Sequence, residues 1–354
     1  MRNSSNAQQG LTVGVDLGDK YSHVCVLNAH GEIVEEGRIA TTREALERRF
    51  AGMAPAAMAI EAGTHSNWVY DLLTSLGHDV VVANPRKLRA ITANERKSDQ
   101  MDARMLARLR RADSQLLSPV VPRAEHMRRD LGVMRARAAL VQARTMLVNH
   151  VRGVAKSSGS RLRKCSAESL HKAELPADLV SVLAPLLQVL ERLTEQVHVY
   201  DQHIAKLSKE SYPQTSLLRQ VEGVGPITAL CFTLTIGDAG RFKNARAAGA
   251  YAGLTPRRDQ SGDRDPELRI TKCGDEMLRT LLVQCAHRIL GPFGPDCDLR
   301  SFGLKLIERG GKNAKRRAVV ATARKLSVLL LALMRSGEVY EPLRHSPAAR
   351  RASA

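Results

Sequence analysis

Aromatic side chains make up only 3% of this 354-residue chain, and Trp68 is its one tryptophan. A platform that stacks bases on exposed aromatics, such as an RRM, is therefore not expected. The six cysteines (Cys25, Cys165, Cys231, Cys273, Cys285 and Cys297) form no CxxC pair. Their scatter argues against a zinc site and a disulfide framework and suits reduced thiols in a cytoplasm. The chain lacks an apolar run of about 18 residues and the h-region of a signal peptide, so neither a membrane partner nor export is expected. No P-loop is present, which removes ATP-driven chemistry of that kind. Acidic residues are in deficit: 54 Lys and Arg against 36 Asp and Glu leave a net charge of +18. Such an excess calls for a polyanionic partner, most often nucleic acid, in a bacterial cytoplasm close to the nucleoid. With few aromatics, recognition falls to phosphate contacts, shape, or base pairing by another nucleic acid.

What is present begins with short apolar runs. Leu11–Leu17, Tyr21–Asn28 and Glu32–Ile39 read as three antiparallel strands, the first ending at Asp16. Thr41 or Thr42 caps a helix to about Ala51. Ala56–Ile60 is a fourth strand ending at Glu61, Ser66–Leu76 a helix, and Asp79–Ala83 a fifth strand. Lys87–Ala93 and Asp99–Ala112 are expected to be helical. Asp99 and Asp102 are three apart and share a helical face. Acids in a first turn also complement the helix dipole, so this pair alone decides nothing. The β-β-β-α-β-α-β-α order predicts a mixed five-stranded, ribonuclease H-like sheet of the RuvC type. Asp16, Glu61, Asp99 and Asp102 would then meet at the carboxyl edge of that sheet. Oxygen-rich clusters of this kind hold Mg²⁺.

Pro122–Lys164 turns basic, with eleven Lys and Arg against Glu125 and Asp130. Leu131, Met134, Ala138, Val141, Thr145 and Val148 recur at helical spacing, and Leu179–Leu207 carries a second stripe. The two long helices predict an antiparallel hairpin or coiled-coil arm, packed between domains or dimerising. Val221-Glu222-Gly223-Val224-Gly225-Pro226 opens an apolar helix in the manner of a helix-hairpin-helix phosphate grip, with Gly223 and Gly225 freeing amide groups for phosphate. A tight αα turn is the plainer alternative. Asn244–Ala252 is a small-residue helix. The polar loop Gly253–Arg264 holds Ser261 before a glycine, with arginines on both sides. Leu268–Thr271 is expected as a short strand, Glu276–Leu290 as a helix, Gly311–Arg316 as a basic turn, and Arg317–Arg335 as the last helix. The fold class is α/β plus α. Residues 1–10 are a disordered tail, 11–118 the RuvC-like domain, 119–212 the helical connector, 213–340 a mostly helical C-terminal domain, and 341–354 a disordered tail.

From Leu11 to Gly337 the chain resembles the DEDD-type insertion-sequence transposases of the IS-one-ten family, to which the Piv/MooV DNA invertases are related. The matching pieces are Gly14-Val15-Asp16, Ile60-Glu61, Asn84-Pro85, Lys97–Ala103, Gly223–Pro226, Gly253–Arg257, Ser261-Gly262 and Lys272–Asp275 with Leu278-Arg279. The resemblance implies a RuvC-like domain joined to a transposase domain with a catalytic serine. It assigns Ser261 as nucleophile and the four acids as a Mg²⁺ cluster. It implies a covalent phosphoserine, a structured bridge RNA pairing with donor and target DNA, and assembly up to a tetramer. A serine hydroxyl needs a base or a metal to become a nucleophile. Arg257, Arg258, Arg264, Arg269, Lys272 and Arg279 would stabilise charge on the transferring phosphate. Arg96, Lys97, Arg104 and Arg108 would rim the acidic cluster. Where relatives carry a second serine and a second glycine near the nucleophile, this chain has Gln260 and Asp263. Two other functions compete: a metal-dependent junction resolvase in which the serine is idle, and a non-catalytic DNA-binding protein.

Overall fold

The computed structural model describes residues 10–87, 98–262, 264, 266 and 268–344. They divide into two units, 1–123 and 124–354.

In the first unit β1 (Thr12–Asp16), β2 (Tyr21–Leu27), β3 (Ile33–Ala40), β4 (Ala57–Glu61) and β5 (Asp79–Ala83) form one sheet in the order β3-β2-β1-β4-β5. β1 pairs antiparallel with β2, and β2 with β3, whereas β1–β4 and β4–β5 are parallel. This is the mixed sheet expected. The helices are α1 (Arg43–Phe50), α2 (Ser66–Ser75) and α3 (Asp99–Ala112). Thr42 caps α1 and Ser98 caps α3, each through its side-chain oxygen. The expected helix at Lys87–Ala93 falls, from residue 88 on, outside the described residues.

Strand alternation gives the sheet two unlike faces. Val13, Val15, Val24, Val26, Met58, Ile60 and Val82 pack against Leu46 and Phe50 of α1 and Val69, Leu72 and Leu73 of α2. The opposite face is built of small residues and is covered by α3. There Ala103 and Ala107 meet Cys25 and Leu27, and Leu106 meets Ala59 and Ala83. At Gly14 the approach is backbone to backbone: a Cβ there would lie 2.1 Å from the Ala103 carbonyl oxygen and 2.5 Å from the Ala107 nitrogen. Arginines on α3 then tie it to the sheet. Arg104 pairs through two nitrogens with Glu36 on β3, Arg110 with Asp79 on β5, and Arg111 donates to the Ala29 carbonyl at 2.6 Å.

The second unit is helical: α4 (Glu125–Ser157), α5 (Val180–Glu210), α6 (Thr215–Leu218), α7 (Pro226–Ile236), α8 (Ala247–Tyr251), α9 (Glu276–Leu290), α10 (Asp298–Glu308) and α11 (Ala314–Ser336). Every residue of α7 from Thr228 to Ile236 is buried, so this helix is the axis of the core. At one end of the α4–α5 pair, Leu131, Met134 and Ile204 belong to that core. At the other end Val148, Val151, Leu183, Leu187 and Leu190 form a separate cluster closed by Leu170 and Leu179 of the joining loop. Between the clusters Arg137 pairs with Asp201 at 2.7 Å across the two helices, and just past the end of α5 the Tyr212 hydroxyl donates to Asp130 of α4 at 2.6 Å. Burial and that bond hold the Tyr212 phenol well above its ordinary pKa.

Three expectations change. The stripe on α4 continues through buried Arg144, not Thr145, which is exposed. An arginine in phase with an apolar stripe escapes a hydrophobic pattern because its charge hides the apolar stem that packs there. The strand at Leu268–Thr271 reduces to a single bridge, Ile270 with Pro256. Helix α10 was not expected, because Gly303 breaks its apolar pattern. In the fold, a Cβ at Gly303 would meet Leu290 Cδ2 at 2.4 Å and Thr322 Oγ1 at 2.6 Å, so a larger residue there would force those two side chains to move.

Candidate active site

In the first unit the acids come to one face. Asp16 is two residues beyond Gly14 on β1, and Glu61 two beyond Ala59 on β4, so both share the small-residue face under α3. Their strands are parallel neighbours with Val15 opposite Ile60, which sets Asp16 and Glu61 side by side at the carboxyl edge. On α3, Asp99 lies one turn before Ala103, which faces β2, and Asp102 one turn before Leu106, which faces β4 and β5. The two aspartates therefore straddle β1. Asp102 is buried and Asp99 exposed.

His23 was not anticipated. It stands opposite Asp16 in the β1–β2 ladder. Its Nδ1 is buried, makes no hydrogen bond, and lies 3.7 Å from Asp99 Oδ2. The signal was in the alternation: His23 is in phase with Cys25 and Leu27, on the face that carries the acids.

Among the described residues, no three His, Cys, Asp or Glu side chains converge closely enough to hold a metal ion. None of Asp16, Glu61 and Asp102 lacks an interaction partner in this arrangement. The donor types still suit a hard divalent cation, because the carboxylates of Asp16, Glu61, Asp99 and Asp102 supply oxygen from three elements of one face. Around them, Arg104 does not form an open rim. It is tied to Glu36, whose carboxyl is held below the ordinary range first by the Arg104 hydrogen bond. Burial, with Glu36 nearby, pushes the Cys25 thiol up to about 11. Arg96 and Lys97 lie outside the described residues.

In the second unit, Ser261 occupies the tip of a β-hairpin-like excursion. Thr271 donates to Thr255 and Arg257 to Arg269, at 2.8 and 2.9 Å, along its stem. Ser261 and Arg264 exchange both backbone hydrogen bonds at 3.1 Å, so the chain reverses between them. Gly262 takes φ 56°, the left-handed region that such a reversal needs. Arg257, Arg258, Ser261, Arg264, Arg269 and Lys272 are all exposed. Among the described residues no ion pair engages Arg257, Arg264, Arg269 or Lys272. Asp263 lies outside them.

The stem is anchored where Gly253 and Gly274 cross. A Cβ at Gly274 would lie 2.1 Å from the Tyr251 carbonyl oxygen. Arg279 was expected at phosphate. Its Nη1 instead donates to the carbonyls of Ala252, Lys272 and Gly274 at 3.3–3.4 Å, which makes it a brace for the stem. Asp275 caps α9 through the Leu278 amide. At the other motif, Gly223 takes φ 92° against Ile289, and Gly225, exposed like Pro226 after it, caps α7. The helix before that turn, α6, is a single turn long.

Two family models match the chain. Residues 13–158 match a DEDD transposase domain of the IS110 type, and residues 215–296 match the transposase IS116/IS110/IS902 family. The chain belongs to this transposase family. The transposase for insertion sequence element IS1111A of Coxiella burnetii is 27% identical to it over 341 residues, covering 93% of this chain and 90% of that one. The transposase for insertion sequence element IS1328 of Yersinia enterocolitica is 29% identical over 281 residues, 78% of this chain and 82% of that one. A pilin gene-inverting protein of Moraxella lacunata is 31% identical over 133 residues, 37% and 40% of the two chains. In this transposase the first matched region contains all four acids and the second contains Ser261. No helix among the described residues is long and apolar enough to cross a membrane.

Proposed function

We propose that the transposase cuts and rejoins DNA through a phosphoserine at Ser261, with Asp16, Glu61, Asp99 and Asp102 holding a divalent cation. Hard oxygen donors make Mg²⁺ the ion of choice. The Ser261 hydroxyl oxygen bonds to phosphorus, the phosphorus–oxygen bond to one deoxyribose breaks, and that sugar leaves as an alcohol carrying the proton. Attack by the freed or an incoming hydroxyl reverses these bonds and restores the serine. The bond count is unchanged, so no nucleotide cofactor is required. The cation, when bound, supplies Lewis-acid stabilisation of phosphate oxygens. Arg257, Arg264 and Lys272 neutralise the phosphate beside Ser261, and the amides near Gly223 and Gly225 hold backbone phosphate away from the chemistry.

The observation that carries this proposal is the presentation of Ser261. It sits at the chain reversal between Ser261 and Arg264, exposed, beside Arg257, Arg264, Arg269 and Lys272, all of them exposed cations. Donor and target DNA are the substrates, a structured guide RNA supplies sequence recognition, and the working form is a homo-oligomer, dimer to tetramer. A scarcity of aromatics suits a protein whose target is read by base pairing.

The test is a denaturing-gel assay for a protein–DNA adduct on labelled DNA. Ser261→Ala is expected to abolish the adduct and strand exchange together, and Asp16→Asn to abolish both by removing a carboxylate. The second reading is a RuvC-like endonuclease that works from the acidic face alone, favoured by the gathering of Asp16, Glu61, Asp99 and Asp102 under α3. It requires Ser261→Ala to cleave DNA at the parental rate. Purification of the transposase from its host with bound nucleic acid tests the guide, and recovery of no discrete RNA would remove that part.

A further inference from the structure

The loop that joins α4 to α5, residues 158–179, lines a cavity of about 650 Å³ that is open to solvent. Arg161, Arg163, Lys164 and Lys172 line it, together with apolar Leu162 and Leu175. Glu174 is the one carboxylate in its wall. Among the described residues none of the four cations has an ion-pair partner, although Glu174 and Glu168 are close in the chain.

The loop is a built structure. Leu170 is fully buried in the distal core, and Leu162 and Leu175 pack against that core. Arg152 Nη2 donates to the Cys165 carbonyl at 2.7 Å, and buried Arg144 reaches to 3.7 Å from Glu168. One set of arginines thus frames the loop, and a second set is left facing the cavity.

Four cations against one carboxylate demand a ligand with more than one negative charge. The leucines demand that part of it be apolar. The volume lies in the range of pockets for small organic groups, about 300–1,000 Å³. A duplex presents a convex backbone and cannot enter such a concavity. A single unpaired nucleotide can, with its phosphates on the cations and its base against leucine or a guanidinium plane. We propose that this cavity binds an unpaired nucleotide of a nucleic-acid strand. It is a site separate from the acidic face and from Ser261, and it stands whichever of those performs strand cleavage. RNA and single-stranded DNA share this chemistry.

The experiment is fluorescence anisotropy on the full chain with labelled oligo(U), oligo(dT) and a blunt DNA duplex as probes. Arg161, Arg163, Lys164 and Lys172 are exposed, so their joint replacement by alanine leaves the fold intact. It is expected to weaken the single-stranded probes about tenfold or more and to lower the salt slope of their binding by about 2 to 3. Duplex affinity is expected to change less than about twofold, because other surfaces hold duplex phosphate. Ala173→Trp fills the cavity without touching charge and is expected to weaken the same two probes. The tighter of oligo(U) and oligo(dT) identifies the strand. Equal loss for duplex and single strand, or single-strand binding that survives Ala173→Trp, would overturn the proposal.

Discussion

Arginine does opposite things on α3 of the first unit and on the hairpin excursion of the second. On α3, Arg104, Arg110 and Arg111 reach back to Glu36, Asp79 and the Ala29 carbonyl and fix the helix to the sheet. On the hairpin excursion of the second unit, Arg257, Arg264 and Arg269 stand exposed, without ion-pair partners among the described residues. The net charge of +18 is thus not spread as one binding coat. Part of it is internal scaffolding that aims carboxylates, and part is available to an anion. Pairing, more than abundance, separates the two.

The sharpest way to break this contrast is at Gly14. A valine there forces its side chain into the backbone of α3, and the first unit is expected to lose about 3 kcal/mol or more. Trp68, the one tryptophan, lies in that unit and reports its unfolding by fluorescence during urea titration. Unchanged Trp68 unfolding would mean that α3 is not seated on β1.

The arginines can be exchanged as probes. Arg257→Ala with Arg264→Ala is expected to lower the salt slope of duplex DNA binding by about 2 with thermal stability unchanged. Arg104→Ala is expected to do the reverse, lowering the stability reported by Trp68 and leaving the slope alone. If both variants change the same observable, the division into scaffold and binding arginines fails.

A finer probe is Ser98→Ala. Ser98 Oγ accepts from the Met101 amide at 3.3 Å and opens the helix that carries Asp99 and Asp102. Loss of that cap is expected to cost about 1 kcal/mol in the urea unfolding of the first unit. The smallest effect is one of pH. Glu36 has its folded pKa below the ordinary value because Arg104 donates to it. Its contribution is complete above the ordinary carboxylate pKa and is lost as the pH falls through the lower folded value. Glu36→Gln is therefore expected to flatten that acid-side part of the Trp68 unfolding profile, and an unaltered profile would separate Glu36 from the clamp.

Much of the first unit was legible from the residues. Short apolar runs ending in Asp16 and Glu61 fixed two strand ends, and the helix expected over Asp99–Ala112 coincides with α3 to the residue. The serine excursion was harder. Its stem from Pro256 to Ile270 is polar and does not alternate, so its pairing depends on Gly253, Gly274 and Arg279 at the base, which no local periodicity reveals. His23 hid as a lone histidine on an apolar strand, and only the two-faced sheet gives it neighbours. Arg279 has the chemistry of a phosphate ligand, and its carbonyl partners include Ala252, 27 residues back across the serine excursion, which helical spacing does not reveal.

The missing side chain at Gly14 also sets the precision of the acidic face. Every side chain interposed between a strand and a helix adds its own rotamer freedom to the distance between them. At Gly14, Ala103 and Ala107 that freedom is nearly absent, and main chain rests on main chain. Asp16 and Asp99 are therefore referenced to each other through a few covalent bonds and one hard contact. Random mutagenesis scored for transposition should find Gly14 as intolerant as the carboxylates, although it carries no chemistry of its own.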